Sequence, residues 1–389
     1  MSIRSTFTAP KNYNTVALSL IAIGVLSIIG LWVTSGSSAD PREQARFWAS
    51  LLQNSVFFLL VVNASMFFIC ITTLAWGGWQ MSFRRVPEAI SAVIPVVGVI
   101  CAAILLAIVF GDNHTIYHWT DAEHVKHDEI LSHKKGFLNK TFFTVVTVLT
   151  VLLWSVLGWK MRQLSRSLDN EPLATLDERK KYIFKNTVWA ALYIVVFSLT
   201  VMSSLPWLWL MSIDAHWYST MYSWYTFAST FVSGMALIAL FVVFLKNNGY
   251  LEFTNNEHLH DLGKFMFAFS VFWTYLWFSQ FMLIWYANIP EEVTYFMTRI
   301  EDFNLPFFGM LAMNFLFPLL LLMNSDYKRV NWFVVLTGIV ILVGHYIDIF
   351  VMVMPGTVGK SWFIGIPEIG AVLFFLGLFI FVVFTALTK

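Results

Sequence analysis

The chain has 389 residues, of which 58% are hydrophobic and only 12% are charged, and its formal net charge is +1. A soluble globular domain carries roughly 25% charged residues, so this composition excludes a protein whose surface faces mainly water. The near-neutral charge also gives no basis for a nucleic-acid partner. We therefore expect lipid around the chain, which restricts the backbone to helices or a closed barrel.

Ten apolar runs follow one another along the chain, and about 20 residues are enough to cross the hydrocarbon core of a membrane as a helix. The runs lack the alternation that is typical of barrel strands. The sequence therefore predicts one all-α integral membrane domain over residues 1–389, with helices numbered 1 to 10 at 15–34, 50–77, 87–110, 141–160, 186–211, 219–245, 265–286, 303–324, 331–353 and 367–387.

The first run, from Val16 to Val33, lacks a cleavage site of small residues, so we expect it to be retained as a membrane helix. Sixteen of the 24 lysines and arginines fall on the same side as the N-terminus, and eight fall on the opposite side. Because cytoplasmic loops carry the excess of positive charge, both termini are expected in the cytoplasm.

Helices 2 and 3 contain one cysteine each, and helix 3 begins with an acidic residue. Cys70 and Cys101 lie in separate apolar runs, and two isolated cysteines cannot hold an iron–sulfur cluster. Glu88 opens helix 3, where an acidic side chain is stabilised by the helix dipole. A carboxylate at the entrance of a proton path is the alternative interpretation of Glu88.

Two outer connections are rich in polar and aromatic residues. The 3–4 loop holds five of the nine histidines, namely His114, His118, His124, His127 and His133. No cysteine accompanies them, so docking of an extrinsic subunit is favoured over a metal site. The 5–6 turn holds Asp214 and His216 among tryptophans that are typical of membrane interfaces. The alternative for this pair is contact with a quinol at the outer surface.

Helix 7 carries a stripe of polar and aromatic residues at helical spacing: Ser270, Trp273, Trp277 and Gln280. Packing is the favoured interpretation of the stripe. Lys264 lies at the inner end of the helix and is expected to extend its ammonium group to the interface. The inner mouth of a proton path is the alternative for Lys264.

Helix 9 contains the best candidate for chemistry within the membrane. His345 and Asp348 are three residues apart, share a helix face and are predicted in the outer third of the helix, beside Tyr346. An aspartate near the centre of a membrane helix costs about 3 kcal/mol, so it needs a reason to be there. The pair indicates a proton relay or quinol site, and the alternative is a polar contact that joins helices. His345 is the only histidine within an apolar run, so we expect no haem held by two histidines.

Four stretches resemble a known family. They are IYHW at 116–119 with HDEIL at 127–131, WLMSID at 209–214 with HWYS at 216–219, WFSQF at 277–281 with WYANIPEE at 285–292, and GHY at 344–346 with Asp348. These stretches resemble the NrfD or polysulfide-reductase-C-like membrane subunits, most closely the second such subunit, F, of bacterial alternative complex III, a quinol:cytochrome c oxidoreductase. With ten helices, the resemblance spans nearly the whole chain.

The resemblance implies two four-helix bundles, helices 2–5 and 6–9, with helices 1 and 10 outside them. It implies a multi-pass subunit of the bacterial cytoplasmic (inner) membrane that supports quinol oxidation, proton conduction and assembly. The implied partners are a sister NrfD-like membrane subunit, periplasmic multihaem cytochrome and iron–sulfur subunits, and a cytochrome oxidase in a supercomplex. Haem and iron–sulfur clusters would belong to these partners, and quinol or menaquinol is the ligand expected here.

The residue predictions follow from these motifs together with the ionisable groups. We expect no catalytic residue and no metal ligand in a chain that is not an enzyme alone. The proton-transfer candidates are His345, Tyr346, Asp348, Gln280, Lys264 and Glu88, and the quinol-contact candidates are His118, Asp214, His216, Trp217, Tyr286, Glu291 and Glu292. Leu208 stands where relatives often have an acidic residue, which moves the expected site from helix 5 to helices 7 and 9. A secondary transporter and a purely structural anchor remain the alternative functions.

Overall fold

The computed structural model describes residues 7–38, 40–111, 114–170, 174–363 and 365–388, and within these ranges the regular structure is entirely helical. In the described part of the chain, ten helices are long and apolar enough to span a membrane, which confirms the predicted all-α, multi-pass class. They are α1 Tyr13–Gly36, α2 Pro41–Leu74, α3 Arg85–Phe110, α4 Lys140–Asp169, α5 Leu176–Asp214, α6 Met221–Asn247, α7 Asn256–Ala287, α8 Asn304–Leu322, α9 Asn331–Val353 and α10 Glu368–Leu387. The face with the chain termini is called inner, following the distribution of lysine and arginine.

Several helices are longer than their apolar runs because polar first turns carry their own caps. The Asp40 carboxylate accepts a hydrogen bond from the Arg42 amide at 2.9 Å, so α2 begins nine residues before the predicted position 50. At the start of α5 the Thr175 hydroxyl accepts from the Glu178 amide at 3.2 Å, and the Glu178 carboxylate accepts from the Thr175 amide at 3.0 Å. Such caps satisfy amides that would otherwise have no partner at a helix start.

Eight of the helices form two adjacent four-helix bundles. In the first bundle α2 packs on α3, α3 on α4, α4 on α5, and α5 on α2; α6 to α9 close a second ring in the same way. The contact between α2 and α6 joins the bundles, and these two helices are the most deeply buried. This arrangement agrees with the predicted grouping of helices 2–5 and 6–9.

Helices α1 and α10 pack against each other outside the bundles, and α10 also contacts α2. The two backbones approach closely because Gly24 has no side chain: a Cβ at this position would lie 2.5 Å from the Phe374 amide nitrogen. Most other side chains of α1 are exposed to the surroundings of the protein. The pair is therefore a peripheral seam between the two ends of the chain.

Two local features of the second bundle position polar groups. Helix α8 widens into π-helical turns at Ala312–Leu316, which place the buried Asn314 against α9. The connection from α7 to α8 is itself a helix, Pro290–Glu301, which we call the outer connecting helix. Proline in its first turn and two glutamates that follow fit the preferences of a helix start.

Candidate functional site

His345 and Asp348 lie together inside the second bundle, with 0% of either residue exposed. Nδ1 of His345 lies 3.3 Å from Oδ2 of Asp348. Eight residues separate His345 from the end of α9 at Val353, which at 1.5 Å per residue is about 12 Å along the helix. The two titratable groups are thus in the outer half of α9, whereas the sequence predicted them in its outer third.

Two side chains from neighbouring helices donate hydrogen bonds to the Asp348 carboxylate. The Tyr225 hydroxyl of α6 donates to Oδ1, and the indole N–H of Trp273 in α7 donates to Oδ2 at 3.0 Å. The Tyr225 and Trp273 rings also stack with their centroids 5.6 Å apart. A buried charge is tolerated only when it is paired and hydrogen-bonded, and these donors meet that requirement.

His345 has several partners on one side of its ring and none in the structure on the other. Nδ1 lies 2.9 Å from the Ser229 hydroxyl and 3.4 Å from the Asn314 side-chain amide nitrogen. Its other ring nitrogen, Nε2, is buried and has no hydrogen-bond partner among the residues that the structure describes. Nδ1 therefore has three neighbours: the Ser229 hydroxyl, the Asn314 amide and the Asp348 carboxylate. Because one ring nitrogen can form a hydrogen bond with only one of them at a time, the pair has alternative hydrogen-bond arrangements.

Three tyrosines lead from Asp348 toward the outer face. Tyr225, which donates to Asp348, lies with its ring centroid 6.2 Å from that of Tyr222. The ring of Tyr222 is in turn 6.5 Å from that of Tyr295 in the outer connecting helix. Tyr222 and Tyr225 are both buried, so these hydroxyl-bearing side chains form a series that ends at an outer cleft.

The outer cleft has a volume of about 290 Å³ and is lined by residues of the 3–4 loop, the 5–6 turn, the outer connecting helix and the end of α9. Arg299 is buried beside it: Nη2 is 3.2 Å from Oδ2 of Asp214, and the guanidinium lies 3.2 Å from the centre of the Tyr295 ring. The opposite face of Tyr295 stacks on Trp217 at 3.8 Å. A rigid stack of Arg299, Tyr295 and Trp217 therefore supports the cleft.

Burial shifts the pKa of two groups at the cleft, His118 and Tyr295. Burial lowers the pKa of His118 below its ordinary value, and the nearby His124 adds to the effect. Burial raises the pKa of Tyr295 to about 12. At neutral pH His118 is therefore neutral and able to accept a proton, while Tyr295 keeps its proton and can donate a hydrogen bond.

Inward of His345 the facing side chains are mainly apolar. Buried residues here include Met235 and Ile238 of α6 and Ile341 of α9. The buried Thr337 lies in the same part of α9 and donates its hydroxyl to the Phe333 carbonyl of its own helix at 2.7 Å. Among the described residues, the series of tyrosines leads from the His345–Asp348 pair toward the outer face, and small polar side chains such as Ser233 and Ser270 are also buried inward of the pair.

Five of the seven predicted quinol-contact residues line the outer cleft: His118, Asp214, His216, Trp217 and Glu291. The other two lie elsewhere. Tyr286, at the end of α7, is 84% exposed, and the half-buried Glu292 is not part of the cleft lining. The sequence therefore indicated these residues in three separate segments, but it did not predict that they line one cavity.

Four predicted proton-transfer residues lie apart from the His345–Asp348 pair. Tyr346 faces α2, where its ring meets Phe57 edge to face at 5.3 Å. Gln280 is buried seven residues along α7 from Trp273. Lys264 is exposed at the inner face and pairs with Asp261 at 2.7 Å, while Glu88 is held by Arg84 at 2.9 Å and Arg85 at 3.0 Å.

Sequence reasoning did not single out Tyr225, Ser229, Asn314, Tyr295 or Arg299 as parts of the site. Tyr225 and Ser229 follow each other at helical spacing in an apolar run, which was the available signal. From the sequence, Arg299 contributed only to the number of positive charges on the outer side. The signal that Arg299 lies on a helix was the proline followed by two glutamates at the start of the outer connecting helix.

Among the described residues, no group of three or more histidine, cysteine, aspartate or glutamate side chains is placed to hold a metal ion. In the outer 3–4 loop, Nδ1 of His114 instead lies 2.6 Å from the Thr120 hydroxyl. Comparison of the chain with known protein-family models and with curated proteins finds no match in either case.

Proposed function

We propose that the chain is an integral membrane subunit of a quinol-oxidising respiratory complex of the bacterial cytoplasmic membrane, in which His345 and Asp348 exchange protons with the outer face. The observation that carries the proposal is this fully buried pair, joined by Tyr225 to a series of tyrosines that ends at the outer cleft. Buried titratable pairs also occur in transporters, so the choice of a respiratory subunit rests on the resemblance of the four stretches to the respiratory family.

Proton movement along this series uses groups that the chain itself supplies. Asp348 accepts the hydrogen bond of Tyr225 and lies against His345, so a proton can reside on either the carboxylate or the imidazole. Tyrosine hydroxyls donate and accept, which allows them to pass a proton when a water molecule bridges each gap. Asp214 and Arg299 then present a charged pair at the outer end.

The outer cleft supports the quinol part of the proposal. Residues from three of the four stretches that resemble the respiratory family surround it, including His118, Asp214 and Glu291. Oxidation of a quinol releases two protons and two electrons, and neutral His118 is suited to receive a proton. The electron acceptors, haem and iron–sulfur centres, belong to partner subunits in this proposal.

The test replaces the pair in the assembled complex. Asp348→Asn keeps the shape of the side chain and removes its titratable carboxyl group, and His345→Leu removes the imidazole. We expect quinol-dependent turnover coupled to proton release to fall at least about tenfold in both, because positioned acid–base groups contribute factors of about 100 or more. Proton release per electron in reconstituted vesicles is the readout.

Thr337→Val is the matched control, because Thr337 is buried in the same helix and bonds only to its own backbone. We expect it to keep wild-type turnover. Full proton-coupled turnover in both pair variants, with the complex intact, would refute the relay and leave the anchor function.

A further inference from the structure

A second cavity, which the proton path does not use, lies near the inner face between the first bundle and α10. Its volume is about 630 Å³, and its walls include Trp159, Arg162, Arg166 and Ser167 of α4 and Phe381 and Val382 of α10. All these residues lie near the inner ends of their helices. One wall is therefore basic and the other apolar, at the depth where the bilayer changes from head groups to acyl chains.

The two arginines share one face of α4. Arg162 and Arg166 are four residues apart and therefore lie one helical turn from each other. Nη1 of Arg162 donates to the Ser91 carbonyl at 2.8 Å and contacts the Ser91 hydroxyl at 3.2 Å, which holds the guanidinium at the cavity wall. Neither arginine forms an ion pair with any residue that the structure describes.

Nearby carboxylates are already occupied by other arginines. Glu88 binds Arg84 at 2.9 Å and Arg85 at 3.0 Å, and Asp169 binds Arg85 at 2.5 Å. Among the described residues, Arg84 and Arg85 thus hold these two carboxylates, and no carboxylate pairs with Arg162 or Arg166, the two arginines that line the cavity.

We propose that this inner cavity binds an anionic phospholipid, with its phosphodiester on Arg162 and Arg166 and an acyl chain along α10. Arginine binds phosphate oxygens through its planar fork of donors. Phe381 and Val382 supply the apolar surface that a free anion would not need. Basic pockets between membrane helices on the cytoplasmic side suit such head groups, and the exposed Trp159 is typical of that depth.

The experiment measures lipid retention on the purified full chain by native mass spectrometry, with equal amounts of phosphatidylglycerol and phosphatidylethanolamine supplied. We expect wild-type protein to retain phosphatidylglycerol preferentially. Arg162→Gln with Arg166→Gln should weaken this binding about 30-fold, since each basic residue near an anionic lipid contributes roughly a factor of five. The matched control is Lys180→Gln with Lys181→Gln, exposed inner residues of α5, which should retain the lipid.

Three outcomes would overturn the proposal: undiminished retention in the arginine double variant, equal loss in the lysine control, or no preference over phosphatidylethanolamine. Inorganic phosphate serves as a separate arm, and its displacement of the lipid at millimolar concentration would assign the cavity to free phosphate instead. Because Arg162 also binds Ser91, Arg166→Gln alone, with an expected loss of about fivefold, covers the case in which the double variant fails to fold.

Discussion

At the scale of single residues, the environment of Asp348 determines whether a carboxylate can exist in the membrane at all. Insertion of an aspartate near the centre of a helix costs about 3 kcal/mol. A hydrogen bond to a charged group contributes roughly 1.5–3 kcal/mol, so the donors Tyr225 and Trp273 are enough to offset this cost. The pair is therefore compatible with a stable bundle and is free to serve a chemical role.

Gly344, the residue before His345, permits the contact between α8 and α9. A Cβ at this position would lie 2.1 Å from Oδ1 of Asn314 and 2.9 Å from Cβ of Met313. We expect Gly344→Ala to displace Asn314 from His345 and to lower the free energy of unfolding by about 1–3 kcal/mol, the usual cost of overpacking. The melting temperature of the purified protein measures this.

Gly309→Ala is the control for that substitution, because a Cβ at Gly309 meets no atom within 4 Å. It lies in a helix, where alanine is preferred to glycine, so its melting temperature should stay the same or rise. An equal decrease in both variants would show that the close approach of Asn314 has no special role.

The sequence revealed His345 and Asp348 because ionisable residues are conspicuous in an apolar run. It did not reveal their partners, for a physical reason. Tyrosine and tryptophan are common in membrane helices for packing and at interfaces, so Tyr225 and Trp273 differ little from many others in composition. Which aromatic side chain meets Asp348 depends on the rotation of α6 and α7 about their axes, which no local pattern specifies.

At the scale of helices, hydrophobicity predicted the number and order of the ten membrane helices but not their full lengths. The apolar run of α5 was predicted at 186–211, whereas the helix spans Leu176–Asp214. Its first turns are charged and capped, so they lie outside what hydrophobicity can detect. The outer connecting helix was missed for the same reason, because its amphipathic sequence is short and polar.

The outer 3–4 loop is fastened to the 5–6 turn through Asp128. Its carboxylate accepts from the Leu131 amide at 3.0 Å and lies 2.5 Å from Nε2 of His216. The backbone bond to Leu131 lowers the pKa of Asp128, with a further contribution from His216. A lowered carboxyl pKa means that the stabilisation is complete above the unfolded-state value of about 3.9 and is lost as the pH falls through the folded-state pKa.

We therefore expect hydrogen exchange in the helix Glu129–Lys134 to be slow and unchanged, after correction for intrinsic rates, from pH 7 down to pH 5. It should accelerate only as the pH falls below the ordinary carboxyl value of about 3.9 and through the lowered folded-state pKa, where the carboxylate becomes protonated. Asp128→Asn should show accelerated exchange already at pH 7. Identical exchange profiles for the variant and the wild type would exclude Asp128 as the fastening group.

At the scale of the whole molecule, the direction of insertion can be tested with the two natural cysteines left in place. Cys70 and Cys101 are both buried, so they should not react with a membrane-impermeant maleimide. With both termini inside, Ser132→Cys in the exposed outer loop should be labelled in intact cells, and Thr388→Cys at the end of α10 only after lysis. The reverse pattern would invert the topology inferred from lysine and arginine.

The seam between α1 and α10 has a consequence for the order in which the protein is assembled. The Gly24 backbone contacts Phe374, a residue that the ribosome adds 350 positions later. At roughly 5–20 residues per second, α1 waits in the bilayer on the order of 20–70 s for its partner. This seam therefore closes only after both bundles have been synthesised, and a chain truncated before α10 keeps an unpaired first helix even when both bundles are complete.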